Sequence, residues 1–137
     1  MQYLLDTSTC VFFLRGKLDL ATVIREKGRN NFFISEITVM ELRFGAENSD
    51  HPSKSHKAVD DFVGGLSIIP IFGSIKRYAK EKVRLRRLGL PINDEFDLLI
   101  AVTAVENKLT LVTDNVKDFD RIEGILIENW FKRNTTL

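Results

Sequence analysis

The chain has 137 residues, 44% of them hydrophobic and 28% charged, with 20 basic and 19 acidic side chains and a net charge of +1. That size suits one domain across residues 1–137, able to bury roughly two thirds of its unfolded surface without disulfides or a structural metal. The balanced charge excludes a globally basic nucleic-acid binder, so any affinity for a polyanion must come from local charge distribution.

The first apolar run, YLLD from Tyr3, reads as a short strand that ends on Asp6. A carboxylate beside a core is costly unless a helix N-terminus, a basic side chain or a cation compensates it. TSTCVFFLRG reads as a short helix stopped at Gly16. Its Cys10 is the single cysteine, so no intramolecular disulfide forms, and a buried thiol suits the reducing cytoplasm. No basic segment precedes the apolar start, and CVFFL and LSIIPIF are too short to cross a bilayer. These features predict a cytoplasmic protein with no membrane partner.

Asp19 is the N-cap candidate of a helix that runs to Gly28, and FFIS, residues 32–35, is the next strand. The helix EITVMELRFGAE follows. ENSDHPSKSHK, residues 47–57, is the densest polar stretch and reads as a loop leading into a helix that ends at Gly64 and Gly65. LSIIPI is a strand closed by Pro70. A long helix then runs from a Ser74 cap to Gly89, with Ile75, Tyr78, Ala79 and Val83 as its predicted inner face. FDLLIAVTAVENK is a helix, LTLVTD a strand and ILIENW a final strand. Short, non-alternating apolar strands interleaved with helices predict a parallel sheet covered on both faces. In such sheets function gathers at the carboxyl ends of the strands.

Four acids stand at or near such ends: Asp6, Glu41, Asp97 and Asp114, with Asn115 and Asp118 just beyond. Carboxylates gathered in one crevice repel one another, and a divalent cation holds them together ionised. Oxygen-only ligands favour Mg²⁺ or Mn²⁺ over zinc. Each acid also has a local reading. Thr38 and Glu41 fit a capping box, Asp94 fits an N-cap with Asp97 in the first turn, and Asp6 fits a cap on the helix after it. Asp118 and Asp120 read as solvated turn residues.

The segments LLDTSTCVFFL, ITVMELRFGAE and DEFDLLIAVTAVENKLTLVTDNVKDFDRIEGILIENW together resemble a PIN-domain protein of the VapC toxin type. The resemblance runs along nearly the whole chain. It implies an α/β fold of three α/β/α layers around a mostly parallel sheet of about five short strands. It also implies a metal-dependent endoribonuclease from a bacterial toxin–antitoxin pair, which leaves 5′-phosphate and 3′-hydroxyl ends. Matched residue by residue, it places the catalytic, metal-binding carboxylates at Asp6, Glu41 and Asp97, with Mg²⁺ or Mn²⁺ as cofactor. Thr7, Ser8, Thr113 and Asn115 match residues that support the site. Asn115 stands where many relatives carry aspartate, which leaves the fourth acid open between Asp118 and Asp114. The partners implied are an RNA, with transfer RNA as the expected class, a VapB-type antitoxin and a second copy of the chain.

For the RNA, the helix SIKRYAKEKVRLRRLG supplies Lys76, Lys80, Arg84 and Arg87 near one face, a stripe able to track a phosphate backbone. His51 and His56 miss the spacing of a helical zinc pair and read as exposed loop residues. The phenylalanines, among them Phe12, Phe13, Phe32, Phe33 and Phe44, read mostly as core. A receiver domain needs a second acid after the first strand, and a haloacid-dehalogenase-type phosphatase needs Asp-x-Asp there; YLLDTS offers neither. A degenerate PIN domain that binds RNA or protein without cutting is the alternative that Asn115 keeps open.

Overall fold

The period-two alternation of a strand decides the layering of this molecule. In the computed structural model, which describes residues 1–131, the first strand is β1 (Tyr3–Leu5). Tyr3 and Leu5 pack into one core, while Leu4 packs into another on the opposite face. The strands β2 (Phe32–Ser35), β3 (Ser67–Ile69), β4 (Thr110–Val112) and β5 (Leu126–Glu128) join it in one sheet, in the order β3-β2-β1-β4-β5. Every pairing is parallel, with Tyr3 opposite Phe32 and Leu4 opposite Leu111.

One face of the sheet is covered by α1 (Thr7–Leu14), α2 (Leu20–Lys27), α3 (Glu36–Glu47) and α4 (Pro52–Val63), whose Cys10, Leu20, Leu42, Val59 and Phe62 pack on Tyr3, Leu5, Phe32, Ile34 and Val112. The other face is covered by α5 (Ile75–Arg87), α6 (Glu95–Glu106) and α7 (Val116–Phe119) through Leu85, Leu98, Ile100, Val102 and Phe119. Each such aliphatic or aromatic side chain contributes about 1.5–3 kcal/mol by leaving water. The three expected layers are therefore present, and the sheet is wholly parallel.

Topology then fixes where function can sit. The chain builds outward from β1 through β2 to β3, then returns to lay β4 on the other side of β1. Strand order reverses between β1 and β4, and the crevice beyond the carboxyl ends of such a pair is the usual ligand site of an open α/β sheet. Asp6 follows β1 directly, and Thr113, Asp114 and Asn115 follow β4.

Several local expectations are corrected. The edge strands β3 and β5 are not buried on both faces: Ile68 and Leu126 are exposed. Thr38 and Glu41 form no capping box, because α3 starts earlier and Ser35 caps it by accepting the Ile37 amide. Ser74 precedes α5 but makes no cap bond. The inner face of α5 runs through Tyr78, Glu81 and Leu85 rather than Ile75, Ala79 and Val83; Ile75 and Ala79 are exposed. His56 is not a loop residue. It lies half-buried in α4 between Arg43 and Glu47. Asp118 sits in α7, a single turn of helix that the polar sequence concealed. Phe32 is core as expected, whereas Phe44 is exposed.

Candidate active site

Asp6 is held where a strand becomes a helix. It caps α1 by accepting the Thr9 amide at 2.9 Å, and its own backbone N–H donates to Val112 of β4. It is also buried, at 4% exposure. Burial pushes its carboxyl above the ordinary value, against hydrogen bonds around it that include Thr113, the Thr9 amide and Ser8. The local cap reading and the functional reading both apply to it.

Ser8 stands between two acids. Its hydroxyl lies 3.0 Å from both carboxyl oxygens of Asp6 and 3.0 Å from Oδ1 of Asp114. One hydroxyl hydrogen cannot serve both residues at once, so Asp6 and Asp114 share a single donor.

Glu41 is presented by α3. The hydroxyl of Thr7 donates to Glu41 Oε1 at 2.7 Å. The Thr38 hydroxyl lies 3.1 Å from Thr7 Oγ1, and since the Thr7 hydrogen is committed to Glu41, Thr38 is the donor in that pair. Burial raises the Glu41 pKa, Thr7 opposes the rise, and the charges of Asp94 and Asp6 add to it.

Asp97 lies in the first turn of α6, which Asp94 caps by accepting the amides of Phe96 and Asp97. Its carboxyl is pushed up to about 7, first by burial and then by the charges of Asp94, Asp6, Glu41 and Asp118. Acids from the end of β1, from α3, from the start of α6 and from α7 thus act on Asp97. Among the described residues no three carboxyl groups stand placed to grip one ion as they are. A cation held among them would offset the mutual repulsion of these charges. The donor set itself, carboxylates and hydroxyls, fits a hard divalent cation.

Beyond β4, the Thr113 hydroxyl accepts the Asn115 backbone N–H at 3.0 Å, and Asn115 Nδ2 donates to Asp118 Oδ2 at 2.7 Å. Asn115 therefore orients an acid instead of being one. Of the two candidates for a fourth acid, Asp118 acts on Asp97, and Asp114 faces Asp6 across Ser8.

The basic stripe of α5 divides. Lys76, Lys80 and Arg87 face solvent. Arg84 is committed to the protein, donating to both carboxyl oxygens of Glu81 and to the Arg121 carbonyl. Sequence reasoning missed two participants: Thr38, visible only once α3 is seen to place it one turn before Glu41, and Asp94 as a charge acting on Asp97.

The PIN domain family model matches residues 3–125. Among curated proteins, the "tRNA(fMet)-specific endonuclease VapC" of Salmonella typhimurium is 34% identical over 134 residues, covering 95% of this chain and 98% of the relative. "Ribonuclease VapC2" of Rickettsia felis is 35% identical over 135 residues, covering 96% and 100%. Among solved structures, the DNA-bound VapBC complex of Salmonella typhimurium matches with a TM-score of 0.88 at 32% identity, covering 95% of this chain and 98% of that one. The Rickettsia felis VapBC2 complex bound to a promoter DNA fragment matches with a TM-score of 0.86 at 33% identity, covering 95% and 99%. A parallel sheet with acids at its switch point, over this length and at this similarity, defines the class. The chain belongs to the PIN-domain family, within the VapC-type ribonucleases. The resemblance read from its motifs is borne out.

Proposed function

We propose that this protein is a toxin endoribonuclease that hydrolyses phosphodiester bonds of a transfer RNA, with Asp6, Glu41 and Asp97 holding Mg²⁺ or Mn²⁺ and Asp118 as the fourth carboxylate. The observation that carries the reading is the placement of Asp6, Glu41 and Asp97 about the carboxyl end of β1, at the switch point of a PIN-family sheet. Such a cluster suits a bound cation. That cation supplies Lewis acidity and neutralises charge on the phosphate.

The chain's own residues have the following roles. Thr7 aims Glu41 and favours its ionised form against the effect of burial, and Ser8 and the Thr9 amide do the same for Asp6. Asn115 turns Asp118 towards the cluster. Asp114 acts through Ser8. Lys76, Lys80 and Arg87 contact the RNA backbone, while Arg84 serves the fold.

The expected inhibitor is a VapB-type antitoxin. Supporting it is an apolar groove between α1, α3 and α4, lined by Val11, Leu14, Leu42, Ala46 and Val59, that reaches Glu41. A peptide laid there would reach Glu41. The protein acts in the cytoplasm as a homodimer built on a single PIN unit. Phe72 at 84% exposure and Leu88 at 57%, just before and just after α5, are exposed apolar residues open to a second copy. Among the described residues no helix is long and apolar enough to cross a membrane.

The test is cleavage of purified small RNA with Mg²⁺, Mn²⁺ or EDTA, wild type beside Asp97→Asn. Discrete fragments that need the metal and vanish in the variant are expected, and their ends identify the substrate. Fragments that persist in EDTA, or at wild-type yield in Asp97→Asn, would overturn the metal-site reading.

A further inference from the structure

The segment between α5 and α6 leads into the helical turn that carries the site acid Asp97, yet it has little structure of its own. Gly89 takes a left-handed φ of +72°. Leu90 donates its N–H back to Leu85, and Pro91 has no N–H to give. The carbonyls of Leu90 and Pro91 are instead gripped from across the molecule. Arg121 Nη1 donates to Pro91 at 3.0 Å and to Leu90 at 3.4 Å.

Arg121 is itself anchored. Its backbone carbonyl accepts from Arg84 Nη2 at 2.8 Å. Two residues on, the Glu123 N–H donates to Glu81 Oε2 at 2.9 Å. Glu81 is buried at 6% exposure and forms a two-point pair with Arg84. A carboxylate buried on the inner face of a helix, with its arginine partner part-exposed, is an expensive way to hold two elements together. Here it fixes one tight turn, residues 121–123, by the two backbone groups that flank the core residue Ile122. The turn then projects one guanidinium to the loop that feeds Asp94 and Asp97.

We propose that Arg121, braced by Glu81 and Arg84, is a positioning residue for the metal site: it fixes the Leu90–Pro91 backbone and so sets where the first turn of α6 delivers Asp97. Both bonds come from the one nitrogen Nη1, so one end of the guanidinium links two successive carbonyls. The inference rests on Asp97 being a metal ligand. Residues outside a ligand set that orient it commonly change metal affinity by about 10–100-fold.

The same two helices provide a control. Arg77 on α5 pairs with Glu106 at 2.9 Å, at the opposite end of α6 from Asp97. The experiment compares wild type, Arg121→Ala, Arg121→Gln and Arg77→Ala, each checked for folding by near-UV circular dichroism. Amide hydrogen exchange without metal is read at residues 94–98, and Mn²⁺ affinity is read by titration calorimetry.

In Arg121→Ala, exchange at 94–98 is expected to quicken by about tenfold, the factor set by one net hydrogen bond of local stability. Mn²⁺ affinity is expected to fall by about tenfold or more. Arg121→Gln, which keeps a donor, should recover part of both. Arg77→Ala should leave both at the wild-type value. Unchanged exchange at 94–98 in Arg121→Ala, or equal losses in Arg77→Ala, would overturn the proposal. A wild type that binds no Mn²⁺ would remove the metal reading of the site, and the exchange comparison would still decide whether Arg121 sets the first turn of α6.

Discussion

Thr7 Oγ1 donates to Glu41 Oε1 across 2.7 Å, joining the first residue of α1 to the middle of α3. That contact aims a half-buried carboxylate and favours its ionised form. Thr7→Val keeps the shape and removes the donor. Glu41 and the Thr38 hydroxyl then each lose a partner, at a cost of about 1 kcal/mol of stability. The Glu41 pKa should rise further, and Mn²⁺ affinity should fall by about tenfold. Titration calorimetry and thermal unfolding read the two effects. Wild-type metal affinity in Thr7→Val would show that Glu41 does not need Thr7.

The metal-free protein should lose stability as pH rises towards neutrality and beyond. The Asp97 pKa moves from an ordinary 3.8 to about 7 on folding, and burial moves Asp6 and Glu41 in the same direction. Between those limits the native state holds protons that the unfolded chain has released. Stability present below the ordinary pKa is therefore lost as pH climbs through the native one. Asp60, Glu81 and Glu95 shift downward, so their contributions are complete above the carboxylate range and stay constant across this window. In EDTA the unfolding midpoint should be lower at about pH 8 than at about pH 5.5. Asp97→Asn should shrink the gap, and Mn²⁺ should narrow or invert it. An equal or higher midpoint at the alkaline end in EDTA would contradict the crowded-acid picture.

Asp6 combines two roles that substitution can separate. As a cap it accepts the Thr9 amide, and asparagine caps a helix about as well as aspartate. As a charge it belongs to the acid cluster. Asp6→Asn should therefore fold with near wild-type stability and lose cleavage. Asp6→Ala should lose cleavage and, in addition, about 1 kcal/mol for the missing cap. RNA cleavage assays with chemical unfolding of both variants test the pair. Cleavage by Asp6→Asn at the wild-type rate would remove Asp6 from the catalytic set.

The framework was legible because it rests on short-range rules. YLL, FFIS and LTLV announce buried strands through apolar runs, and Asp19 and Asp94 announce helix starts through side chains that cap only locally. Asp6, Glu41 and Asp97 could be singled out by motif and by their places near strand and helix ends. What the sequence hid depends on contacts between distant residues. Arg84 looked like one more cation on a basic face, because its partners Arg121 and Glu123 lie far along the chain. The inner face of α5 was misjudged for the same reason: a buried glutamate is read as solvent-facing unless its arginine and its amide are seen. Asn115 looked like a lost acid, and its role as the orienter of Asp118 appears only with α7 folded.

Ser74 gives the sharpest contrast between a local rule and the folded molecule. A serine just before a helix ordinarily accepts an N-terminal amide, and removing such a cap costs about 1 kcal/mol. Here the Ser74 side chain caps nothing. The residue is 1% exposed, and among the described residues its hydroxyl has no hydrogen-bond partner. A buried hydroxyl without a partner carries a desolvation penalty of about 1–3 kcal/mol. Ser74→Ala removes that penalty and leaves a void no larger than one oxygen. The cap rule predicts a lower unfolding midpoint for this variant. The packing around Ser74 predicts an unchanged midpoint or a rise of about 3 °C, the shift that roughly 1 kcal/mol produces in a domain of this size. Differential scanning calorimetry of Ser74→Ala beside wild type decides it: a clear fall would mean that the hydroxyl holds the start of α5, and a rise would mean that it is a cost the fold carries.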